Sequence, residues 1–209
     1  MCYNGDMICH IVGAGDFFAR HLRVDAGDMV IAADGGLARL LAAGVRPDFV
    51  VGDFDSCDLD VDDFNVKKLP TEKDETDMRS AIGLAYGKGC RHFHIHGGTG
   101  GRPDHTFANI QCLAWLSRNA GRGFLYFEDY FMTAVTDGDL TISGAPGGYV
   151  SVFAYGGGAD GVSLAGLKYK LVDAFLADDD VLGTSNEFTG AAARISVKRG
   201  TLIITAKIL

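Results

Sequence analysis

The sequence lacks the long apolar runs and the basic segments that mark several classes of protein. No stretch approaches the roughly 18 consecutive apolar residues of a membrane-spanning helix, and the first residues have neither the basic nor the apolar region of a secretory signal. The 209 residues carry 27 acidic against 19 basic side chains, a net charge of −8, and no basic run offsets this excess. Such a charge disfavours nucleic acid and anionic membranes. We therefore expect a cytoplasmic protein that binds neither.

Cysteine pairs with metal-binding spacing are also lacking. The five cysteines form an odd set without a C-x-x-C pair, a poor match to a zinc site or a disulfide framework. We expect them to be reduced and mostly buried. The phosphate-binding sequence G-x-x-x-x-G-K-[ST] is absent too, which excludes a P-loop enzyme.

The sequence does contain a clear change of texture near residue 130. Before it, apolar runs alternate with helix-length segments, a pattern that predicts a parallel, Rossmann-like sheet covered by helices on both faces. After it, short alternating runs between glycine-rich turns predict antiparallel β structure, with Arg199-Gly200 as a hairpin turn between the last two runs. We expect an α/β domain over residues 1–129 and a β domain over residues 130–209.

Individual elements can be assigned from the runs and their spacing. The predicted parallel strands are Ile8 to Val12, Met29 to Ala33, Phe49 to Gly52, Phe64 to Leu69, His92 to Ile95 and Gly123 to Phe127. Apolar residues at helical spacing predict three helices. Their buried stripes are Leu37, Leu40 and Leu41; Met78, Ala81, Ile82 and Ala85; and Phe107, Ile110, Leu113 or Ala114, and Leu116, with Pro103 near the first turn of the third helix.

Carboxylates gather at the predicted strand ends. Asp53 and Asp55 lie two residues apart after the run Phe49 to Gly52, so in an extended backbone both point to one side and can bind one hard cation. Asp34, Asp77 and Asp104 occupy similar positions after apolar runs or at helix starts. Because ligands bind at the carboxyl ends of parallel strands, we expect Asp53, Asp55 and Asp77 to share Mg²⁺ in phosphate chemistry. The alternative for any single aspartate is a turn or a helix cap.

Two glycine-rich segments follow predicted strands. Gly13-Ala14-Gly15 resembles the start of a dinucleotide-binding fingerprint, but Phe18 occupies the position of the third glycine. A tight turn is the simpler interpretation; the alternative is that backbone amides there approach a phosphate. The segment from Gly97 to Arg102 is more informative, because small residues followed by arginine allow backbone and guanidinium to approach an anion. An ordinary loop remains the alternative there.

Three histidines, His92, His94 and His96, alternate along one predicted strand. Residues i and i+4 of a strand are about 14 Å apart, too far for all three to bind one ion. We expect at least two of them to have structural or interfacial roles.

Several motifs, taken in order, resemble one family. They are Ala33-Asp34-Gly35-Gly36, Gly52-Asp53-Phe54-Asp55-Ser56, Lys73-Asp74-Glu75-Thr76-Asp77, Gly100-Gly101-Arg102-Pro103-Asp104-His105 and, in the β half, Gly166-Leu167-Lys168-Tyr169 with Thr184-Ser185-Asn186-Glu187-Phe188. In order and content they are similar to bacterial thiamin pyrophosphokinases. The resemblance implies an α/β catalytic domain, a C-terminal β-sandwich, a homodimer, and transfer of a diphosphate from ATP to thiamin with release of AMP.

The resemblance also implies a role for each matching residue. Asp53, Asp55 and Asp77 would hold Mg²⁺. Thr76, Arg102 and Asp104 would lie near the nucleotide phosphates, and Asp34, with Gly35 and Gly36, near the nucleotide or, for Asp34, near waters bound to the metal. In the mechanism that we expect, Asp104 is the candidate acceptor of the hydroxyl proton. Ser185 and Asn186 would contact the thiamin pyrimidine, near Tyr169. The chain departs from the family at Tyr169, where some relatives carry tryptophan, and in the histidine-rich strand, which replaces residues that are usually apolar.

Two other functions are compatible with the same carboxylates. One is a diphosphate transfer to a hydroxymethyl pterin; the segment Thr184 to Phe188 favours thiamin over this acceptor. The other is a sensor that binds a nucleotide or a thiamin derivative without turnover.

Overall fold

A computed structural model of the chain describes residues 7–53, 63–68 and 74–208. The chain folds into two compact units. The first extends through Cys112 and includes Gly123–Phe127, and the second contains Leu113–Arg122 and the chain from Glu128 onward.

The first unit is built on a parallel sheet. Its strands are β1 (Ile8–Val12), β2 (Met29–Ala33), β3 (Phe49–Gly52), β4 (Val66–Lys68), β5 (His92–His96) and β6 (Arg122–Tyr126), in the order β6-β5-β1-β2-β3-β4. The pairings among β1 to β5 are all parallel. All six predicted strands occur, each within two residues of its predicted ends. The chain adds strands on one side of β1 and then on the other, and sheets of this kind bind ligands at the carboxyl ends of the strands near this change of direction.

The helices of this part of the chain are α1 (Gly36–Ala42), α2 (Asp77–Gly87) and α3 (Pro103–Arg118), with a 3₁₀ turn at Ala19–His21. Leu37 and Leu40 of α1 pack with valines and alanine of β1, β2 and β3 in one apolar cluster. All four predicted stripe residues of α2 are buried.

For two residues the predicted burial is wrong. Leu41 of α1 is 41% exposed, and Phe107 of α3 is 55% exposed. The buried stripe of α3 contains Asn109, Cys112, Leu113 and Leu116. Phe107 lies two residues before Asn109, about 200° around the helix, and therefore on the opposite face.

The second unit contains two antiparallel sheets. Its strands are β7 (Tyr130–Thr136), β8 (Asp139–Ile142), β9 (Tyr149–Ala154), β10 (Ala159–Ala165), β11 (Leu171–Leu176), β12 (Asn186–Glu187), β13 (Ala193–Ser196) and β14 (Thr201–Lys207). Within this unit one sheet has the order β12-β9-β14-β7 and the other β11-β10-β13-β8. Alternate residues of both sheets pack into one shared core, which includes Val152, Leu164, Ile195 and Ile204. The predicted α/β domain followed by an antiparallel β-sandwich is confirmed.

The predicted hairpin at Arg199-Gly200 is wrong. β13 pairs with β8 and β10, whereas β14 pairs with β7 and β9 in the other sheet. The Arg199 backbone and side chain instead bind Asp160 at the start of β10. The turn thus carries the chain from one sheet to the other, because each flanking strand has better partners elsewhere.

The structure also bears on cysteine use and membrane spanning. Cys9, Cys90 and Cys112 are free and buried, as predicted for these three. No helix among the described residues has the length and hydropathy needed to cross a membrane.

Candidate active site

A cavity of about 370 Å³ lies in the first unit, where the loops after β1, β2 and β5 meet the first turns of α2 and α3. The lining residues come from five separate segments. They are Gly13, Ala14, Gly15, Ala33, Asp34, Thr76, Asp77, Met78, Gly97, Gly98, Thr99, Gly100, Gly101, Arg102, His105 and Asn109. This is the place where a parallel sheet of this topology binds ligands.

Hydrogen bonds fasten the two glycine-rich loops to each other. The Gly13 amide donates to the His96 carbonyl at 2.8 Å, the Gly15 amide to Gly97 at 2.8 Å and the Asp16 amide to Thr99 at 2.7 Å. A Cβ atom on Gly15 would lie 2.2 Å from the Thr99 oxygen, so only glycine permits this approach. The amides of Gly13 and Gly15 are therefore engaged within the protein and are not free to bind a phosphate, contrary to the fingerprint interpretation.

The second loop, Gly97 to Arg102, is hydrogen-bonded to Asn109 of α3, a residue that was not predicted from the sequence. Asn109 is 5% exposed and donates from Nδ2 to the Gly98 carbonyl at 2.7 Å. Its signal was a polar side chain at a position of α3 where the buried stripe is otherwise apolar. His105, Met78 and Thr99 also line the cavity without having been predicted as site residues.

Asp34 lies at the carboxyl end of β2 and lines the cavity. Its backbone has φ of 51°, and its amide donates to the Val51 carbonyl at the end of β3 at 2.8 Å. Gly35 and Gly36, predicted with it as nucleotide-binding residues, are not among the described lining residues. A Cβ atom on Gly36 would lie 1.8 Å from the Val12 oxygen, so Gly36 allows close packing of α1 on β1.

Thr76 and Asp77 line the cavity at the start of α2. Thr76 caps the helix: its Oγ1 accepts from the Arg79 amide at 3.2 Å, which leaves the hydroxyl proton for a ligand oxygen. Asp77 is the first residue of the helix, where the positive end of the helix dipole favours a carboxylate.

The three predicted Mg²⁺ carboxylates are only partly described. Asp77 lines the cavity, and Asp53 directly follows β3 at the same sheet edge, although it is not among the described lining residues. Asp55 lies outside the described residues. Within the described ranges, no three carboxylates come close enough together to share an ion. The two lining carboxylates, Asp34 and Asp77, provide oxygen donors of the kind that Mg²⁺ requires.

Arg102 lines the cavity and forms a bidentate pair with Asp104. Its Nη2 and Nε lie 2.6 and 3.2 Å from the two Asp104 oxygens. This hydrogen bonding raises the pKa of Arg102 and lowers the pKa of Asp104. A carboxylate with a lowered pKa is a weaker proton acceptor, so the pairing disfavours Asp104 as a base. Both side chains are largely exposed, which allows Arg102 to turn towards an anion.

The predicted thiamin residues lie together in the second unit. Asn186 is 4% exposed; its Oδ1 accepts from the amides of Tyr169 and Glu187, each at 2.9 Å, and its Nδ2 donates to the Tyr169 carbonyl at 2.7 Å. Asn186 thereby joins the two sequence motifs and fixes the Tyr169 backbone. Tyr169 is 60% exposed, and Ser185 is also exposed. The solvent-facing groups here are therefore the Tyr169 ring and the Ser185 hydroxyl.

Comparisons with known proteins agree with these two units. A family model for the catalytic domain of thiamin pyrophosphokinase matches residues 21–124, and one for its vitamin B1 binding domain matches residues 139–202. The chain is 29% identical over 187 residues to the thiamine pyrophosphokinase of Bacillus subtilis (strain 168), covering 86% of this chain and 87% of the relative.

Solved structures are similar over nearly the full length. The crystal structure of Bacillus subtilis thiamine pyrophosphokinase superimposes with a TM-score of 0.88 at 26% identity, covering 96% of this chain and 98% of that one. The crystal structure of Geobacillus thermodenitrificans thiamin pyrophosphokinase superimposes with a TM-score of 0.84 at 28% identity, covering 97% of this chain and 98% of that one. The two family models together span most of the sequence, and the chain belongs to the thiamin pyrophosphokinase family.

Proposed function

We propose that this chain transfers a diphosphate group from ATP to the hydroxyl of thiamin, releasing thiamin diphosphate and AMP. The observation that carries the proposal is the cavity at the ends of β1, β2 and β5, lined by Asp34, Thr76, Asp77 and Arg102 within the segment that matches the catalytic domain. A separate β-sandwich matches the vitamin B1 binding domain and supplies a surface for the acceptor.

The cavity residues suit a chain of phosphates. The Arg102 guanidinium has the fork geometry that binds phosphate oxygens, and the Thr76 hydroxyl can donate to another. Four of the five residues from Gly97 to Gly101 are glycines, so a ligand can approach the backbone of this loop closely. The thiamin hydroxyl then attacks the β-phosphorus in line with the departing AMP, and catalysis consists mainly of positioning and charge neutralisation.

Mg²⁺ is the proposed cofactor, held by Asp53, Asp55 and Asp77. The fit rests on chemistry: of these three residues Asp77 lines the cavity, as does Asp34, and an acidic chain with net charge −8 would otherwise repel a nucleoside triphosphate. When bound, the ion would neutralise phosphate charge and orient the transferred group.

Thiamin binding is assigned to Tyr169 and Ser185. The exposed Tyr169 ring provides a flat apolar surface for an aromatic heterocycle, and the Ser185 hydroxyl lies on the same joined pair of motifs. Asn186 acts indirectly, because the hydrogen bonds of its side chain hold the Tyr169 backbone in place. A cytoplasmic homodimer completes the proposal; it rests on the family resemblance and is tested by light scattering of the purified chain.

Product analysis tests this function. Purified protein incubated with MgATP and thiamin should yield AMP and thiamin diphosphate in equal amounts. The Asp77→Asn variant should lose turnover, whereas Asp179→Asn, in an exposed turn of the second unit, should match the unaltered protein. Formation of ADP would indicate ordinary kinase chemistry, and nucleotide binding without AMP would indicate a sensor. Turnover with a hydroxymethyl pterin but not with thiamin would indicate a pterin diphosphokinase instead.

A further inference from the structure

Three histidines from two neighbouring strands meet in the first unit, outside the set of residues that line the cavity. β1 and β5 pair in parallel with His10 opposite His94 and Val12 opposite His96. One ring nitrogen from each of His10, His94 and His96 can be chosen so that all three lie within 4.8 Å of one another. We call these three residues the imidazole cluster.

Two members of the imidazole cluster are buried and incompletely hydrogen-bonded. His10 and His96 are each 1% exposed. Among the described residues, Nδ1 of His10 and both ring nitrogens of His96 have no hydrogen-bond partner. Buried polar atoms are nearly always partnered, so three such atoms in two neighbouring rings require a partner such as an ion or a water molecule.

Packing accounts for the rings but not for their nitrogens. His96 stacks on Tyr126 with ring centroids 4.7 Å apart and planes 4° from parallel, and on His10 at 5.9 Å and 15°. Stacking of this kind is satisfied by any flat apolar ring. Phenylalanine would provide it without burying unpartnered nitrogen atoms.

Neighbouring polar groups orient two of the rings. The Asp28 carboxylate lies 3.3 Å from Nε2 of His10, which directs Nδ1 of that ring away from Asp28. The Tyr126 hydroxyl lies 3.0 Å from Nδ1 of His94. A histidine that binds a metal characteristically donates its other nitrogen to a carboxylate or a similar acceptor.

The charge state of the imidazole cluster also suits a cation. Burial lowers the pKa of His10 and His96, and it lowers the pKa of His94 to about 4. The rings are therefore neutral at neutral pH and have lone pairs to donate. Because all three donors are imidazole nitrogens, hard ions such as Mg²⁺ are disfavoured and borderline transition metals are preferred.

We propose that His10, His94 and His96 form a binding site for one divalent transition-metal ion of the Zn²⁺ class. A tetrahedral ion with bonds of about 2.0 Å brings its ligands to about 3.3 Å from one another, so the three rings must turn inward by small side-chain rotations. The fourth position is left for water or an added ligand. A bound ion would link β1 to β5 next to the cavity, where the amide of the lining residue Gly13 already donates to the His96 carbonyl.

Metal titration of the full chain tests the proposal. Chelator-treated protein is titrated with Zn²⁺ by calorimetry in excess Mg²⁺, which occupies the carboxylates, and with Co²⁺ by visible absorption. We expect one ion per chain with a nitrogen-ligand cobalt spectrum. The His96→Gln and His10→Gln variants should each lower Zn²⁺ affinity by more than about 100-fold, and Asp28→Asn by about 10- to 100-fold, as for an outer-shell partner.

The matched control is His92→Gln, which alters the same strand outside the imidazole cluster and should leave affinity unchanged. Circular dichroism establishes that each variant is folded. Nitrogen-15 spectra of the unaltered protein add a readout that needs no variant: Zn²⁺ should shift the ring signals of the imidazole cluster and not those of His92. Absence of stoichiometric binding, unchanged ring signals, or equal affinity in a folded His96→Gln or His10→Gln variant would overturn the site.

Discussion

The Gly15→Ala substitution examines whether the two glycine-rich loops depend on close backbone approach. Gly15 does not require a left-handed backbone; its constraint is space, since an added Cβ would lie 2.2 Å from the Thr99 oxygen and 2.8 Å from the Gly97 oxygen. A Cβ atom essentially never lies closer than 3.0 Å to another heavy atom of this kind. The Thr99 carbonyl must therefore move by about 1 Å, because backbone cannot rotate away as a flexible side chain can.

The expected cost follows from the bonds that this movement disturbs. It breaks or lengthens the Gly15-to-Gly97 and Asp16-to-Thr99 hydrogen bonds, of 2.8 and 2.7 Å. Each is worth about 0.5–1.5 kcal/mol, and the steric strain adds about 1–3 kcal/mol. We expect the free energy of unfolding to fall by about 2–6 kcal/mol. Since both loops line the cavity, the KM for ATP should rise as well.

Urea denaturation followed by circular dichroism measures the free energy of unfolding. Steady-state kinetics with varied ATP measure the KM for ATP, which reports on the cavity. At a slope of about 2 kcal/mol per molar urea, the midpoint should fall by about 1–3 M. Gly87→Ala is the matched control, because a Cβ there meets nothing within 4 Å and the residue ends α2. That control should be neutral or stabilising by up to about 1 kcal/mol. An unchanged midpoint together with an unchanged KM in Gly15→Ala would refute the reasoning.

Three further outcomes are expected. Asn109→Leu removes the donor to the Gly98 carbonyl, so it should cost about 1–3 kcal/mol in urea unfolding and raise the KM for ATP without changing that for thiamin. Asn186→Asp removes the donor to the Tyr169 carbonyl, so kinetics should show the converse, a KM for thiamin raised about tenfold and an unchanged KM for ATP. Chelator-treated protein should lose stability as the pH falls from about 6.5 towards 4. Over this range histidine in the unfolded chain becomes protonated, whereas the buried His94 ring of the folded protein, with its pKa of about 4, stays neutral. Urea midpoints at about pH 7.5, 6.0 and 5.0 should show a slope of up to about 1.4 kcal/mol per pH unit for each ring kept neutral; a flat profile would contradict this.

Most of the fold could be predicted because its signals are local. The strands β1, β2 and β3 are buried on both faces, so each appears as a short apolar run whose ends are visible in the sequence. The start of α2 is equally clear, since Thr76 is a favourable cap and the four apolar residues that follow share one face.

The failures have a different physical origin. Arg199-Gly200 has the composition of a hairpin turn, but strand pairing depends on distant partners: β14 pairs with β7 over seven residues, an arrangement that no local pattern reveals. Phe107 has an apolar side chain at a helical spacing from Ile110, yet the buried face of α3 contains Asn109, which bonds to the Gly98 carbonyl, and not Phe107. In both cases the local sequence indicates a turn or a buried residue, and the outcome depends on tertiary packing that the local sequence does not reveal.

The imidazole cluster shows what a calculation restricted to one strand leaves out. Three histidines on one strand extend over about 14 Å and cannot share an ion, and His92 is indeed outside the group. The third nitrogen comes instead from His10, more than eighty residues earlier, because the parallel register places it opposite His94. The two strands are neighbours because β1 lies between β5 and β2, a feature of topology rather than of spacing. Donors on adjacent strands are about 5 Å apart, so a strand pair can provide the close triad that a single strand cannot.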